Sequence, residues 1–296
     1  HSSVGLGRLD NLSIALQTSW FLTTAITLLG LIVGSFLNVV IFRLPKIMEQ
    51  AWQRDCCELL EQTPPDTPPI SLSSPNSQCR NCGIAIKPWH NIPVLSYAFL
   101  RGCCAGCGAP ISRRYPIIEL CTALLSLAAA IAFGPTLQLA AALLLIWSLI
   151  ALTGIDIDTQ LLPDSITLPL LWLGLLLNIN STFTSLNDAV IGAAAGYLTL
   201  WSVYWIFKLT TGKDGMGFGD FKLLAALGAW FGWQAIPLII ILSSFVGAFI
   251  GILLILLKKQ GREVPMPFGP YLAGAGLLTL FYGDQLTATY FSLIGF

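Results

Sequence analysis

Residues 221–257 decide the class of fold, and their sequence is FKLLAALGAWFGWQAIPLIIILSSFVGAFIGILLILL. Apart from Lys222 the stretch carries no charge. As one helix it would be roughly 55 Å long, because each residue adds about 1.5 Å, whereas the hydrocarbon core of a bilayer is only about 30 Å thick. The stretch therefore predicts two membrane spans, with the chain folding back at residues 231–237, where Gly and Pro interrupt the apolar pattern.

The composition of the whole chain agrees with a membrane protein. Of its 296 residues 55% are hydrophobic and only 10% are charged, whereas a soluble domain carries about 25% charged residues. This excludes a water-soluble globule. The fifteen Lys and Arg residues balance the fifteen Asp and Glu residues, so the net charge suggests neither a nucleic-acid partner nor a polyanionic substrate.

Six further apolar runs are candidates for spanning helices, because a span needs about 20 mostly apolar residues. They cover residues 20–42, 116–133, 137–152, 166–177, 189–207 and 271–282. The run at 166–177 is short, but it is needed to keep the basic loops on one side of the membrane. Together with the two spans of residues 221–257, these runs predict an all-α polytopic membrane protein with about eight transmembrane helices.

The basic residues predict how these helices are oriented, because cytoplasmic loops near span ends are enriched in Lys and Arg. With eight spans, every basic residue except Arg8 falls on one side of the membrane. That side is therefore predicted to be the cytoplasm, with residues 44–114 in it and both termini periplasmic. The first span is too long for a cleaved signal peptide, and it leads directly into basic residues rather than a small-residue cleavage site.

Four cysteines of the polar stretch have the spacing of a metal site. Cys79, Cys82, Cys104 and Cys107 form a C-x2-C, x21, C-x2-C array, which is close to the zinc-ribbon spacing and suits tetrahedral zinc. Iron and a disulfide are the alternatives, and a reducing cytoplasm disfavours the disulfide. Cys103 is a candidate in place of Cys104, but only Cys104 lies two residues from Cys107. A site closed by four thiolates is structural, because no position is left for substrate.

Two acidic segments lie where predicted spans meet the cytoplasm. One is residues 154–164, with Asp156, Asp158 and Asp164, and the other is residues 215–220, which end at Asp220. Ionisable groups beside spans indicate function. Two carboxyl groups held close together in an environment of low dielectric constant share one proton. The ionised group can then activate water while the protonated group gives its proton to the substrate. The segments therefore predict acid/base hydrolysis of an amide.

Simpler roles compete for several of these residues. Asp164 is expected to cap the fourth span helix, because it follows Pro163 and precedes an apolar run. Asp158 is expected to be solvated, and Asp214 to be an exposed loop charge. His90 is the only histidine after the first residue, so a Ser/His or Cys/His catalytic unit has one available base and is disfavoured.

Taken together, these segments resemble the type IV prepilin leader peptidase/N-methyltransferase family, within the GxGD class of intramembrane aspartyl proteases. The resemblance extends from about residue 30 to residue 273. It is carried by residues 34–45, 89–97, 100–102, 114–120, 156–164, 217–224 and 267–270, and by the cysteine array.

The resemblance implies a catalytic pair, Asp156 and Asp220, because the first aspartate of the family stands eight positions before that of a Leu-Pro-Asp element. It implies metal ligands at Cys79, Cys82, Cys104 and Cys107. It further implies an enzyme of the bacterial inner membrane that cuts the basic leader of prepilins or pseudopilins at the cytoplasmic face. The new N-terminus would then be methylated from S-adenosylmethionine, for which no binding motif is visible and no residues are assigned.

On this interpretation the chain has three segments. Residues 1–43 hold a periplasmic N-terminus and the first transmembrane helix, residues 44–114 a cytoplasmic loop domain with the four-cysteine metal site, and residues 115–296 the transmembrane aspartyl peptidase domain. The alternative from another class is a cation-coupled transporter or channel with a zinc-stabilised cytoplasmic loop. The absence of an internal repeat, and the placement of both aspartates at one membrane face, disfavour that alternative.

Overall fold

A computed structural model of the chain describes residues 4–63, 65, 68–79, 81–86, 92–257 and 266–294. Within these ranges there are nine α-helices and no β-strand, so the predicted all-α class is confirmed. The helices are α1 (Val4–Leu59), α2 (Leu95–Phe99), α3 (Arg114–Phe133), α4 (Leu137–Thr159), α5 (Asp164–Asn178), α6 (Leu186–Thr211), α7 (Phe218–Phe231), α8 (Ala235–Leu256) and α9 (Gly269–Ile294).

Each of the eight predicted apolar runs lies on a helix of its own, and α2 is the only helix among the described residues without one. The fold-back at residues 231–237 is confirmed: α7 ends at Phe231 and α8 begins at Ala235. Gly232 adopts φ 83° there, a conformation that glycine reaches without strain. Helices α1, α3, α4, α6 and α8 are long and apolar enough to cross a bilayer. The total of eight spans stays a prediction.

The contacts between residues divide the chain into two compact units, His1–Trp147 and Ser148–Phe296. In the first unit α1 packs against α3, and glycines let the two helices approach closely. A Cβ atom at Gly30 would lie 2.9 Å from Cα of Ala123, and one at Gly34 would lie 2.7 Å from Cα of Glu119. The division into residues 1–43, 44–114 and 115–296, which was made from the sequence, stays a prediction.

Helix α7 is the centre of the second unit, where it packs against α5, α6, α8 and α9. All its residues from Asp220 to Trp230 are buried except Lys222, as expected of a helix surrounded by others. The side chain of Asn178 donates to the carbonyls of Ala229 (2.8 Å) and Trp230 (3.1 Å). These bonds satisfy carbonyls that the helix end leaves free, and they fix the helix that carries Asp220.

We predict that Gly228→Ala destabilises the protein by about 1–3 kcal/mol, as overpacking does. A Cβ atom at Gly228 would collide with the backbone carbonyl of Gly192 on α6, and backbone moves less readily than a side chain. Thermal unfolding in detergent measures the effect. The matched control is Gly274→Ala on α9, where a Cβ atom meets no other atom within 4 Å. Equal unfolding temperatures for the two variants would contradict the close α6–α7 contact.

Candidate functional site

Asp156 lies in the last turn of α4 and is only 4% exposed. Its backbone carbonyl accepts a hydrogen bond from Gln160 N (2.9 Å), which closes the end of the helix. Its side-chain atom Oδ2 accepts a second bond from the backbone N–H of Gly269 (2.9 Å). A buried carboxylate needs such donors, and here the donor comes from the first residue of α9.

Asp220 lies in the first turn of α7 and is 7% exposed. Gly217 precedes the helix with extended backbone, and its carbonyl accepts from Asp220 N (3.2 Å). Gly219 has to be small, because a Cβ atom there would lie 2.7 Å from Cβ of Leu162. Among the residues with described positions, none forms a hydrogen bond with the buried Asp220 Oδ1 atom. A buried polar atom without a partner is uncommon and marks a place where a polar ligand fits.

The two aspartates line the same cavity of about 730 Å³. The structure thus brings together the two residues that the resemblance selected from segments 64 positions apart, at 156 and 220. Asp164 and Asp214 also line the cavity, and its remaining walls are mostly apolar, with Met216 and Phe268 among them. Two carboxyl groups in such surroundings form the arrangement used for acid/base hydrolysis.

The prediction that Asp164 caps a helix through its side chain is wrong. The residue at the N-cap of α5 is Pro163, and Asp164 lies in the first turn without forming a cap bond. Both of its carboxylate oxygens are instead 2.7 Å from Nζ of Lys222. The long Lys222 side chain extends from α7 to α5, so this ion pair joins the segment that follows Asp156 to the one that follows Asp220.

Asp214 is exposed as predicted, but it is not an isolated loop charge. Nζ of Lys208 lies 2.8 Å from its Oδ1 atom, and the hydroxyl of Tyr204 donates to the same atom (2.6 Å). The Lys208 ammonium and the Tyr204 hydroxyl hold the pKa of Asp214 below its usual range. The Asp158 side chain is exposed. His90, Trp89 and Asn91 lie outside the described residues.

The four predicted metal ligands form one cluster. The sulfur atoms of Cys79, Cys82, Cys104 and Cys107 all lie within 4.8 Å of one another, and those of Cys79 and Cys107 are 3.9 Å apart. Tetrahedral zinc with Zn–S bonds of about 2.3 Å requires sulfur atoms about 3.8 Å apart. The cluster therefore has the size and donor set of a zinc site.

Two similar turns carry the cysteines. Cys79 N donates to Ile84 O (2.9 Å) and Cys104 N donates to Ala109 O (2.8 Å), while Gly83 and Gly108 take the same left-handed conformation at φ 70° and 69°. Backbone N–H groups of Cys82 and Asn81 lower the pKa of Cys79 to about 6. That of Ala109 lowers the pKa of Cys107. Such donors favour thiolates, the form that binds zinc.

The structure also decides which neighbouring cysteine belongs to the site. Cys104 is in the cluster, whereas the sulfur of Cys103 contacts the carbonyl of Arg101 (3.7 Å). Cys56, Cys57 and Cys121, all within the described ranges, are outside the cluster as well.

Sequence reasoning gave no role to Gly269 or Lys222. Both belong to motifs that carry the resemblance, but their partners are 113 and 58 positions away. No spacing rule for a single sequence connects residues so far apart. The only available signal was that each belonged to a recognised motif.

Two family profiles match the chain. One, described as the bacterial peptidase A24 N-terminal domain, covers residues 28–133, and the other, described as the type IV leader peptidase family, covers residues 143–252. No solved structure shows a significant match.

Several curated relatives share about half of the residues. The prepilin leader peptidase/N-methyltransferase of Aeromonas hydrophila is 55% identical over 281 residues, which are 94% of this chain and 97% of that protein. The protein of the same name from Pseudomonas aeruginosa is 56% identical over 270 residues (91% and 93%). The one from Legionella pneumophila is 45% identical over 279 residues (94% and 97%).

We predict that purified protein contains one zinc ion per chain and that Cys79→Ser and Cys104→Ser lower this content. Removing one thiolate opens a site that needs four ligands. Metal analysis by mass spectrometry measures the content. Cys103→Ser is the matched control, because it removes the neighbouring sulfur from outside the cluster. Zinc content equal to wild type in both cluster variants would contradict the assignment.

Proposed function

This chain belongs to the type IV leader peptidase family, and from that premise we propose that it removes the leader of prepilins or pseudopilins and then N-methylates the new N-terminus. The relatives named above carry both activities in their names. The same comparisons give no support to a transporter or channel. One observation carries the proposal for the peptidase site: Asp156 and Asp220 are both buried, and they line the same cavity.

In the proposed reaction the two aspartates hold one water molecule between them. The ionised carboxylate takes a proton from the water as its oxygen bonds to the carbonyl carbon of the scissile peptide. The protonated carboxyl gives its proton to the substrate, and the C–N bond then breaks. The leader leaves with a new carboxyl group and the mature chain with a new amine. This division of work needs a base and an acid side by side.

The glycine-rich segment before Asp220 suits a peptide substrate. Gly217 has extended backbone rather than helical backbone, and the cavity runs along residues 214–220. A peptide bond is accessible to water only where the substrate helix is unwound, and irregular backbone at membrane depth is tolerated where it lines a cavity. We infer that the substrate is locally extended beside this segment when it is cut.

The second step uses the amine that cleavage exposes. An α-amino group has an ordinary pKa of about 8, so that a fraction is neutral and nucleophilic near neutral pH. S-adenosylmethionine would supply the methyl group, which would pass from its sulfur to the amine nitrogen as that nitrogen loses a proton. The cysteine cluster would hold its loop in shape when zinc is bound. The residues that bind the methyl donor stay unassigned.

We further propose that the protein is a multi-pass protein of the bacterial inner membrane, with the peptidase site facing the cytoplasm. Its apolar helices and its relatives support a membrane protein. The orientation rests on the placement of Lys and Arg, which would put both termini in the periplasm.

Replacing either aspartate with asparagine tests the peptidase site. We predict that Asp156→Asn and Asp220→Asn lower the cleavage rate of a purified prepilin about 1,000-fold or more, because general acid/base catalysis is lost. Both variants should still methylate a pilin that has already been cleaved. Gel analysis measures cleavage, and mass spectrometry measures the added methyl group.

Asp158→Asn is the matched control, because it removes an exposed carboxylate from the same helix two residues after Asp156. It should cleave at the wild-type rate. Normal cleavage by Asp156→Asn or Asp220→Asn would show that these residues are not the catalytic pair.

A further inference from the structure

Helix α9 begins beside the catalytic site. Its first residue, Gly269, donates its backbone N–H to Asp156 Oδ2 over 2.9 Å in a buried position. The next residue is Pro270, which has no N–H group. Tyr271 N and Leu272 N both donate to the carbonyl of Phe268, so these groups are already used. Among the first four residues of α9, Gly269 is therefore the one whose backbone N–H is available to Asp156.

We propose that Gly269 is a positioning residue of the peptidase, whose backbone N–H fixes the Asp156 carboxyl group and whose missing side chain makes that contact possible. The proposal rests on the function proposed above, because it assigns Gly269 a role through Asp156. Gly269 itself does not act on the reacting atoms. It lies in the chain between Phe268 and Tyr271, which both line the cavity.

The hydrogen bond makes the two oxygens of Asp156 unequal. A backbone N–H can only donate, so Oδ2 accepts this bond, and a proton carried by Asp156 is favoured on Oδ1, because a carbonyl oxygen is a better acceptor than a hydroxyl oxygen. Asp220 differs, because the part of the chain that the structure describes offers no partner to its Oδ1 atom. A water molecule between the two residues would therefore meet one carboxyl group with a fixed orientation and one that is still free to bind.

A side chain at this position would disturb the contact with Asp156. A Cβ atom at residue 269 would lie 2.6 Å from Asp156 Oδ2 and 3.0 Å from Cδ2 of Leu162. Both distances are below van der Waals contact, so any side chain would displace the carboxyl group or the start of α9. Displacing a catalytic group by about 1 Å can cost about 100-fold in rate.

The variant Gly269→Ala tests this role, with Gly274→Ala as the matched control on the same helix. Gly274 has no atom within 4 Å of its ideal Cβ position. We expect Gly269→Ala to lower kcat for prepilin cleavage about 100-fold with KM unchanged, while methylation of an already cleaved pilin stays at the wild-type rate. Gly274→Ala should match wild type in kcat, in KM and in the rate of methylation. Wild-type kcat in Gly269→Ala, or equal losses of cleavage and methylation, would overturn the proposal.

A second measurement detects the bond without changing residue 269. Labelling glycine with 15N and the phenylalanine carbonyl with 13C selects the amides of the four glycines that follow Phe, namely Gly134, Gly219, Gly232 and Gly269. We expect Asp156→Ala to move one of these amide protons upfield, because its carboxylate acceptor is lost, and Asp158→Ala to leave all four in place. If none of the four moves in Asp156→Ala, Gly269 does not hold Asp156.

The two assays distinguish this proposal from the function on which it rests. Asp156→Asn is measured beside Gly269→Ala in the same cleavage assay. If Asp156→Asn is inactive and Gly269→Ala is fully active, the positioning role fails while the peptidase site stands. If Asp156→Asn is itself active, the assignment of the peptidase site is wrong, and the role of Gly269 is wrong with it.

Discussion

The burial of two carboxyl groups beside one cavity is the constraint on which the rest of the second unit depends. Removing a carboxylate from water costs several kcal/mol unless donors replace the water. Asp156 receives one such donor from Gly269, whereas Asp220 Oδ1 has none among the described residues. Their helices must therefore be held by other contacts. Asn178 binds the far end of α7, and Trp230 Nε1 donates to the carbonyl of Leu170 (2.8 Å).

The two aspartates lie at opposite kinds of helix end. Asp156 stands at the end of α4 and Asp220 at the start of α7, where the helices leave backbone groups unpaired. Glycines allow close contact at both places, with Gly269 against Asp156 and Gly219 against Leu162. The Asp164–Lys222 ion pair then joins the segments that follow the two aspartates. The site is thus built from the ends of α4, α7 and α9, which the packed helices hold in place.

Much of this architecture could be predicted from the sequence because it depends on local pattern. The apolar runs predicted the helices, Gly and Pro predicted the break before α8, and spacing selected Cys104 over Cys103. The role of Asp164 could not be predicted, since a residue at a helix start looks like a cap until Lys222 is known to lie beside it. The contact between Gly269 and Asp156 could not be predicted from the sequence either. Its partners are 113 positions apart, and one of them is a backbone amide that every residue except proline has.

The side chains of residues 156 and 220 converge on one cavity, and this convergence can be measured. It is tested by cross-linking an Asp156→Cys/Asp220→Cys variant with a short bifunctional thiol reagent and identifying the linked peptides by mass spectrometry. Side chains two positions apart on a helix point to different sides, so Asp158→Cys/Asp220→Cys is the control. We expect a link between positions 156 and 220 and none in the control. A folded Asp156→Cys/Asp220→Cys variant without this link would contradict it.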